Sequence, residues 1–288
     1  MRLHLLDATY ELFRAHFGFP PRDDPSGRPV GAVVGLMETT LQLLREEGVT
    51  HLGAATDTVI RSFRNDLYDG YKTGEGVEPE LLAQFPLAER ALEAMGVRTW
   101  RMEDFEADDA MATAAIRWAD DVDQVVILSP DKDLTQVIVE DRIVAFNRRT
   151  RTLMDEAGVW EKFGVGPASI PDYLALVGDT ADGIPGLPRW GAKSSATLLA
   201  RYGSIDAIPR DETTWDVTVR GAAALGASLR EHEDDLRLFR TLTTLRLDAP
   251  ITESLADLEW RGVRRDPYLA LCDELGVEGL RERPHLWA

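Results

Sequence analysis

The sequence predicts an α/β fold in which a mostly parallel central sheet is flanked by helices, followed by a helical part. Two observations support this prediction. Short apolar runs alternate with longer segments of helical spacing in the first half of the chain, and after about residue 165 only the helical spacing continues. Strands that alternate with helices form parallel sheets covered on both faces. We therefore expect a ligand site beyond the carboxyl ends of the strands.

The individual elements follow from these patterns in chain order. Strands are predicted at the short apolar runs 1–7, 51–57, 97–102, 124–129 and 142–147. Helices are predicted between them at 31–47, 79–95 and 107–119. Further helices are predicted at 167–178, 191–202 and 219–245, interrupted by the turn-rich stretch GDTADGIPGLPRWG.

The composition is that of a soluble globular protein. The chain has 288 residues, of which 44% are hydrophobic, and its apolar runs are far shorter than the ~20 residues that span a bilayer. The first apolar run ends at Asp7, which is too early for a signal peptide. Cys272 has no second cysteine to pair with. We therefore expect a cytoplasmic protein with no membrane association.

The charge balance argues against a polyanionic ligand unless positive charge is concentrated locally. The 50 acidic and 32 basic residues give a net charge of −18. Such a chain repels nucleic acid at long range unless basic residues cluster or bound cations neutralise part of the acid. Only four of the basic residues are lysines, namely Lys72, Lys132, Lys162 and Lys193.

Acidic residues recur at the predicted carboxyl ends of strands and in two nearby motifs. They are Asp7, Asp57, Asp131 and Asp133 after strands, Glu106, Asp108 and Asp109 in FEADDA, and Asp179 and Asp182 in GDTAD. If they meet at one sheet edge, they cannot all ionise without compensating cations. Oxygen ligands without His or Cys favour Mg²⁺ or Mn²⁺, which commonly meet substrate phosphates. Taken singly, each acid also fits a helix cap or a turn, and Asp108 and Asp109 fit the positive end of a helix dipole.

Six segments resemble the bacterial 5′ nucleases, the flap endonuclease and 5′-3′ exonuclease domains that are fused to DNA polymerase I or stand alone. The segments are DATYELFR, GRPVGAVVGL, SFRNDLYDGYK, FEADD, SPDKDL and LVGDTADGIPGLPRWGAKSSATLL, which together span residues 1 to about 210. The resemblance implies a PIN-like core at 1–165 with an arch at about 64–95. It also implies a helical part at 166–288 with a helix–three-turn–helix at about 176–202. The length leaves no room for a polymerase, so a stand-alone, monomeric enzyme is expected.

The resemblance also implies roles for individual residues in a two-metal reaction. One metal would be held by Asp7, Asp57, Glu106 and Asp108, and the second, directly or through water, by Asp109, Asp131, Asp133, Asp179 and Asp182. The basic residues Arg64 and Lys72 match those that grip the scissile phosphate, and Tyr71 matches an aromatic residue at the base of the arch. The sequence departs from the family in the arch, where TGEGVEPE is acidic and predicts weaker threading. The basic run NRRTRTL fits either a duplex contact or a solvated hairpin.

The segment GIPGLPRWGAKSS resembles the duplex-binding hairpin of these nucleases. Its candidate DNA-binding residues are Gly183, Gly186, Arg189, Gly191, Lys193, Ser194 and Ser195. Glycines allow the backbone to approach a phosphate, and the following helix offers its N-terminus. Family members often bind a monovalent cation such as K⁺ here, but Arg189 and Trp190 replace the small and aliphatic residues expected. Trp190 fits a core position better than a sugar contact.

The function predicted is a structure-specific 5′ nuclease that hydrolyses DNA at flaps, nicks and 5′ ends in replication and repair. An RNA–DNA hybrid is a further candidate substrate. One alternative is a DNA-junction binder that keeps the fold without catalysis, and cleavage of a labelled flap would exclude it. Another is a small-molecule phosphatase with Asp131 as nucleophile, which leaves Arg64, Lys72 and the hairpin unexplained.

Overall fold

The structure is a computed structural model that describes residues 1–46 and 48–288. It divides into two compact units. Unit 1 comprises Met1–Ile60, Gly74–Ser129 and Leu247–Ala288, and unit 2 comprises Arg61–Thr73 and Pro130–Arg246. Both units are discontinuous in sequence. The division predicted from the sequence, into 1–165 and 166–288, has a single boundary and remains a prediction.

Strands and helices alternate in the first half of the chain, and helices predominate in the second. The strands are β1 (Arg2–Asp7), β2 (His51–Asp57), β3 (Arg98–Met102), β4 (Gln124–Leu128), β5 (Ile143–Asn147) and β6 (Thr152–Met154). The first six helices are α1 (Ala8–Gly18), α2 (Gly31–Glu46), α3 (Arg64–Leu67), α4 (Pro79–Leu82), α5 (Phe85–Ala94) and α6 (Ala107–Trp118). The remaining helices are α7 (Glu156–Phe163), α8 (Ile170–Val177), α9 (Ala192–Tyr202), α10 (Ala222–Glu231), α11 (Glu233–Thr243) and α12 (Arg265–Leu275).

Unit 1 contains the predicted parallel sheet. Its strands lie in the order β3-β2-β1-β4, and each neighbouring pair is parallel. The interior of β1 and β2 is almost entirely buried, as expected for strands covered on both faces. In this register Asp7 lies opposite Ala55, and Asp57 opposite Met102, so both acids stand at carboxyl ends of strands.

Unit 2 is mainly helical, as the sequence predicts for the later part of the chain. Its strands β5 and β6 form an antiparallel hairpin in which Ala145 pairs with Met154. Helices α8 to α11 surround a core that includes Leu174, Leu198 and Leu229. The indole of Trp190 is buried in this core and donates to the carbonyl of Leu225 at 3.3 Å, which confirms its favoured core position.

Two predicted helices are each divided in the structure. The segment 79–95 forms α4 and α5, because Pro86 has no N–H and is suited to the first turn of a new helix. The segment 219–245 forms α10 and α11, with His232 in a non-helical conformation between them (φ −116°, ψ 32°). Helices α1, α7 and α12 and the three-residue strand β6 were not predicted.

The two units differ strongly in charge. Unit 1 carries 14 basic and 30 acidic residues, for a net charge of −16, whereas unit 2 carries 18 and 20, for a net charge of −2. The acidity of the chain is thus a property of unit 1. Within residues 1–46 and 48–288, no helix combines the length and apolarity needed to cross a membrane.

Candidate metal centre and nucleic-acid interface

Asp7 is fixed on both of its carboxylate oxygens in unit 1. It is the N-cap of α1, and its Oδ1 accepts from the backbone N–H of Tyr10 at 2.8 Å. Its Oδ2 accepts from the hydroxyl of Ser129 at 2.8 Å, just beyond β4. The capping interpretation is therefore correct for Asp7, and the cap holds a buried carboxylate at the end of β1. Ser129 was missed by the sequence analysis, although its position as the last residue of the predicted strand 124–129 was a usable signal.

The other acids of unit 1 gather at the start of α6. The Oδ1 of Asp57 accepts from the N–H of Ala107 at 2.8 Å, at the first residue of that helix. Glu106 is the N-cap and is buried, and its N–H donates to the Oδ2 of Asp109 at 3.0 Å. Asp108 is half-buried. All four acids therefore lie at or beside the first turn of α6.

Asp109 has an observed structural role. It is fully buried in the first turn of α6, and its carboxylate forms one half of the capping interaction with Glu106. It lies in unit 1, whereas the other four acids that the resemblance assigns to the second metal lie in unit 2. Its role as a metal ligand remains a prediction.

Three acids of unit 2 lie close together, and we refer to Asp133, Asp179 and Asp182 as the unit 2 acidic cluster. One carboxylate oxygen from each lies within 4.8 Å of the others. Asp133 and Asp179 are buried and Asp182 is half-buried. The N–H of Asp133 donates to the Oδ1 of Asp131 at 2.9 Å, which places Asp131 beside the cluster.

Local backbone structure explains how distant residues meet in this cluster. Asp133 begins a 3₁₀ helix, Asp133–Val137. Asp179 and Ile184 exchange two backbone hydrogen bonds of 2.7 Å, which close the turn that carries Asp182. The next residue, Gly183, has φ +77°, and a Cβ there would lie 2.1 Å from the carbonyl oxygen of Gly70. Only glycine fits this close approach.

The negative charges of the crowded carboxylates in this cluster favour the binding of a cation. Burial, followed by repulsion from Asp131, Asp182 and Asp179, raises the pKa of Asp133 well above its usual range, while Lys132 lowers it. Among residues 1–46 and 48–288, the buried Oδ1 of Asp133 has no hydrogen-bond partner. A crowded set of oxygen ligands with an unpartnered buried oxygen fits a hard divalent cation such as Mg²⁺ or Mn²⁺.

Two lysines already contact the cluster. The ammonium of Lys132 lies 2.5 Å from the Oδ2 of Asp179, and that of Lys72 lies 3.0 Å from the Oδ1 of Asp182. Burial acts to lower the pKa of Lys132, but the hydrogen bond to Asp179 and the surrounding negative charge outweigh it and raise that pKa. Lys72 thus lies at the candidate metal centre, and its contact with the scissile phosphate remains a prediction.

The side chains of Arg64 and Tyr71 lie in the interior of unit 2. Arg64 is 1% exposed, and its guanidinium donates to the carbonyl oxygens of Leu242 at 2.9 Å and Thr244 at 3.3 Å. Tyr71 is 3% exposed and belongs to the unit 2 core. In this conformation both side chains are interior. Their expected roles, Arg64 at the scissile phosphate and Tyr71 at the base of the arch, remain predictions. The carbonyl group of Leu242 that Arg64 contacts belongs to α11, and no local sequence signal reveals this contact.

The predicted duplex-binding hairpin contains both exposed and buried residues. Arg189 and Lys193 are exposed, and Arg189 adopts a left-handed conformation (φ +75°). Gly191 is the N-cap of α9, and the Oγ of Ser194 accepts from its N–H at 3.2 Å. These residues surround an accessible helix N-terminus, which favours phosphate.

Two other hairpin residues have interior positions. Ser195 is fully buried in this conformation, and its expected DNA contact remains a prediction. Gly186 has φ +70°, and a Cβ there would lie 2.5 Å from the backbone nitrogen of Gly178. Glycine is therefore required at this position, because the two backbone segments pack too closely for a side chain.

The chain belongs to the 5′-3′ exonuclease family. The family description "5′-3′ exonuclease, N-terminal resolvase-like domain" matches residues 2–164, and "5′-3′ exonuclease, C-terminal SAM fold" matches residues 165–266. This membership confirms the resemblance stated from the motifs.

Individual relatives agree with this family. The 5′-3′ exonuclease of Aquifex aeolicus is 31% identical over 258 residues, which cover 89% of this chain and 86% of the relative. DNA polymerase I of Bacillus caldotenax is 32% identical over 288 residues, which cover 98% of this chain but 32% of the polymerase. The chain therefore spans about a third of the length of such polymerase relatives.

Solved structures show the same fold. T5 5′-exonuclease, solved with bound divalent zinc ions, has a TM-score of 0.67 at 19% identity, covering 84% of this chain and 89% of that one. The catalytic core of Rad2, solved with DNA substrate, has a TM-score of 0.62 at 14% identity, covering 96% and 88%. These likenesses confirm the predicted α/β fold with its helical C-terminal part.

Proposed function

We propose that this protein is a metal-dependent 5′ nuclease that hydrolyses phosphodiester bonds of DNA at flaps, nicks and 5′ ends. The observation that carries the proposal is the unit 2 acidic cluster, in which buried, crowded carboxylates meet Lys72. Family membership supports the same activity. Cytoplasmic location, a monomeric state and a role in replication and repair belong to this proposal.

The carboxylates of each unit would hold one divalent ion. In unit 1 these are Asp7, Asp57, Glu106 and Asp108, and in unit 2 they are Asp131, Asp133, Asp179 and Asp182. Mg²⁺ or Mn²⁺ held by these carboxylates would supply an activated water and would stabilise the leaving oxygen. The hydrogen bonds to Asp7 and Asp57 hold these carboxylates in a fixed orientation before any ion binds.

The protein's own cations act on the DNA. Lys72 is half-exposed beside the unit 2 acidic cluster, where its ammonium can exchange Asp182 for a substrate phosphate. Arg189 and Lys193 would bind duplex phosphates at the N-terminus of α9. Binding of K⁺ in the same hairpin is part of the proposal and is supported only by the family resemblance.

A cleavage assay tests this function. End-labelled flap, nicked duplex, single strand and RNA–DNA hybrid are each incubated with Mg²⁺, with Mn²⁺ or with chelator. We expect metal-dependent release of 5′ fragments, fastest on flap or nicked DNA. Asp133→Asn should abolish cleavage, whereas Glu161→Gln, an exposed carboxylate of α7, should cleave at the parent rate.

The same assay separates the alternatives. Tight junction binding without cleavage in any metal would favour the non-catalytic binder. Phosphate release from small esters with an Asp131 phosphoenzyme would favour the phosphatase. Normal cleavage by Asp133→Asn would show that the unit 2 acidic cluster is not the metal centre.

A further inference from the structure

Lys132 occupies a ligand position in the candidate metal centre. Its ammonium lies 2.5 Å from the Oδ2 of Asp179, while the Oδ1 of Asp179 accepts from the N–H of Ala181 at 3.1 Å. Both oxygens of this buried carboxylate therefore already have a partner. A divalent ion that binds the Oδ2 of Asp179 shares this oxygen with the lysine ammonium, so the two cations compete there.

We propose that Lys132 is a resident counter-ion that stabilises the unit 2 acidic cluster and weakens its affinity for divalent ions. This inference rests on the proposed function, because it concerns the same carboxylates. It goes further by assigning to a residue of the SPDKDL motif a role in setting metal affinity. Lys132 is a positioning residue in this scheme and touches no substrate.

The physical argument has two parts. An ammonium contributes one positive charge to a site whose buried carboxylates otherwise repel one another, so it favours the folded protein. The same charge repels an incoming divalent ion at short range, where an interaction between charges is large even at the effective dielectric of a protein surface. Removing the charge should therefore lower stability without metal and increase metal affinity.

The consequence is a metal centre that fills preferentially together with substrate. Mg²⁺ commonly keeps several waters and completes its coordination with substrate phosphates. Lys132 weakens the affinity of the site for a divalent ion because it competes for Asp179. Additional phosphate oxygens from the substrate therefore increase this affinity most strongly. Metal occupancy would then depend on DNA more strongly than carboxylates alone would require.

The experiment uses the full chain with Lys132→Met, which keeps length and removes charge, and Lys132→Arg, which keeps the charge. The control is Lys162→Met, because Lys162 is an exposed lysine of unit 2 that lies over the ring of Phe163. Mn²⁺ binding is measured without DNA by the spin-resonance signal of free ion and by calorimetry at constant ionic strength. Thermal unfolding is measured in chelator.

We expect Lys132→Met to bind Mn²⁺ about tenfold more tightly and to melt at a lower temperature in chelator. Lys132→Arg should stay near the parent in both measurements, as should Lys162→Met. Unchanged or weaker Mn²⁺ binding by Lys132→Met would overturn the inference, and Lys132→Gln provides the same comparison if the methionine variant does not fold. Absence of Mn²⁺ binding by the parent both without DNA and in the presence of flap DNA would instead refute the proposed function.

Discussion

Individual acidic residues in unit 1 combine a structural contact with a candidate chemical role. Asp7 and Asp57 each accept a backbone hydrogen bond at the start of a helix, at 2.8 Å in both cases. Such bonds fix the direction of each carboxylate. The capping and metal-binding interpretations of these residues are therefore compatible, because a cap uses only part of a carboxylate's acceptor capacity.

Lys72 provides a test of catalysis at the level of one residue. Lys72→Ala should lower the single-turnover rate by ~10²–10³ with little change in duplex affinity, because a cation beside the scissile phosphate stabilises charge in the transition state. Lys72→Arg should recover only part of the loss, since a planar guanidinium places its charge differently. Rapid-quench kinetics on a flap measure both, with Lys162→Ala as control. An Ala variant that cleaves at the parent rate would remove Lys72 from the mechanism.

His4 provides a test of stability against pH. Burial in β1, together with the charge of Arg2, lowers its pKa from 6.5 to about 4, although a backbone hydrogen bond with His51 opposes the shift. The unfolded chain therefore binds a proton that the folded chain excludes, so stability falls as pH decreases from 6.5 to 4, by about 3 kcal/mol in total. Denaturant unfolding at several pH values should show this loss.

His4→Leu should lack this part of the acid destabilisation. His285→Gln, which changes an exposed histidine, should behave as the parent. Equal acid sensitivity of the parent and His4→Leu would contradict a neutral, buried His4.

Among the elements, helix α9 depends most on the turn that precedes it. The left-handed Arg189 and the buried Trp190 end the turn, and Gly191 then caps the helix. A non-glycine residue with positive φ is uncommon and is tolerated when its surroundings fix it. Here the buried indole of Trp190 fixes the chain and leaves the Arg189 side chain exposed.

Lys193, in the first turn of α9, tests the role of this element in DNA binding. Lys193→Ala should weaken duplex binding modestly and lower the slope of log affinity against log salt by about one, because one phosphate contact is lost. The rate at saturating DNA should not change. Fluorescence anisotropy at several salt concentrations gives the slope. Arg237→Ala is the control, since it removes an exposed charge that is paired with Glu233 in α11. A large fall in rate with unchanged affinity would show that α9 belongs to the chemistry.

For the molecule as a whole, the distribution of charge resolves the conflict between net acidity and DNA binding. Unit 1 has a net charge of −16 and unit 2 of −2, and four of the acids of unit 2 are candidate metal ligands. Exposed Arg189 and Lys193 belong to this nearly neutral unit. The surface that binds DNA can therefore be locally positive although the net charge of the protein is negative.

Divalent ions should stabilise the folded protein, because folding brings the candidate metal ligands together. Ligands that bind only the folded state raise the unfolding temperature in proportion to the logarithm of their concentration. We expect Mg²⁺ to raise the melting temperature relative to NaCl of equal ionic strength, and chelator to reverse the effect. Asp133→Asn should melt at or above the parent temperature in chelator, because one repulsive charge is removed, but should gain less from Mg²⁺. Equal effects of Mg²⁺ and NaCl would indicate general screening alone.

The sequence by itself determined the parallel sheet, the order of its main elements and the acidic residues at the ends of β1 and β2. These features depend on local spacing of apolar residues and on the position of polar residues after them, so they are recognisable without a structure. Family motifs added the duplex-binding hairpin and the lysines near the carboxylates.

Only the tertiary structure decided which of these residues have partners. The burial of Arg64 against carbonyls of Leu242 and Thr244, and the ion pair between Lys132 and Asp179, join residues that are far apart in sequence. Ser195 shows the same limit, since its burial depends on how α9 packs. Local sequence specifies the conformation of a segment, whereas exposure, ion pairing and pKa depend on the groups that folding brings to it from elsewhere.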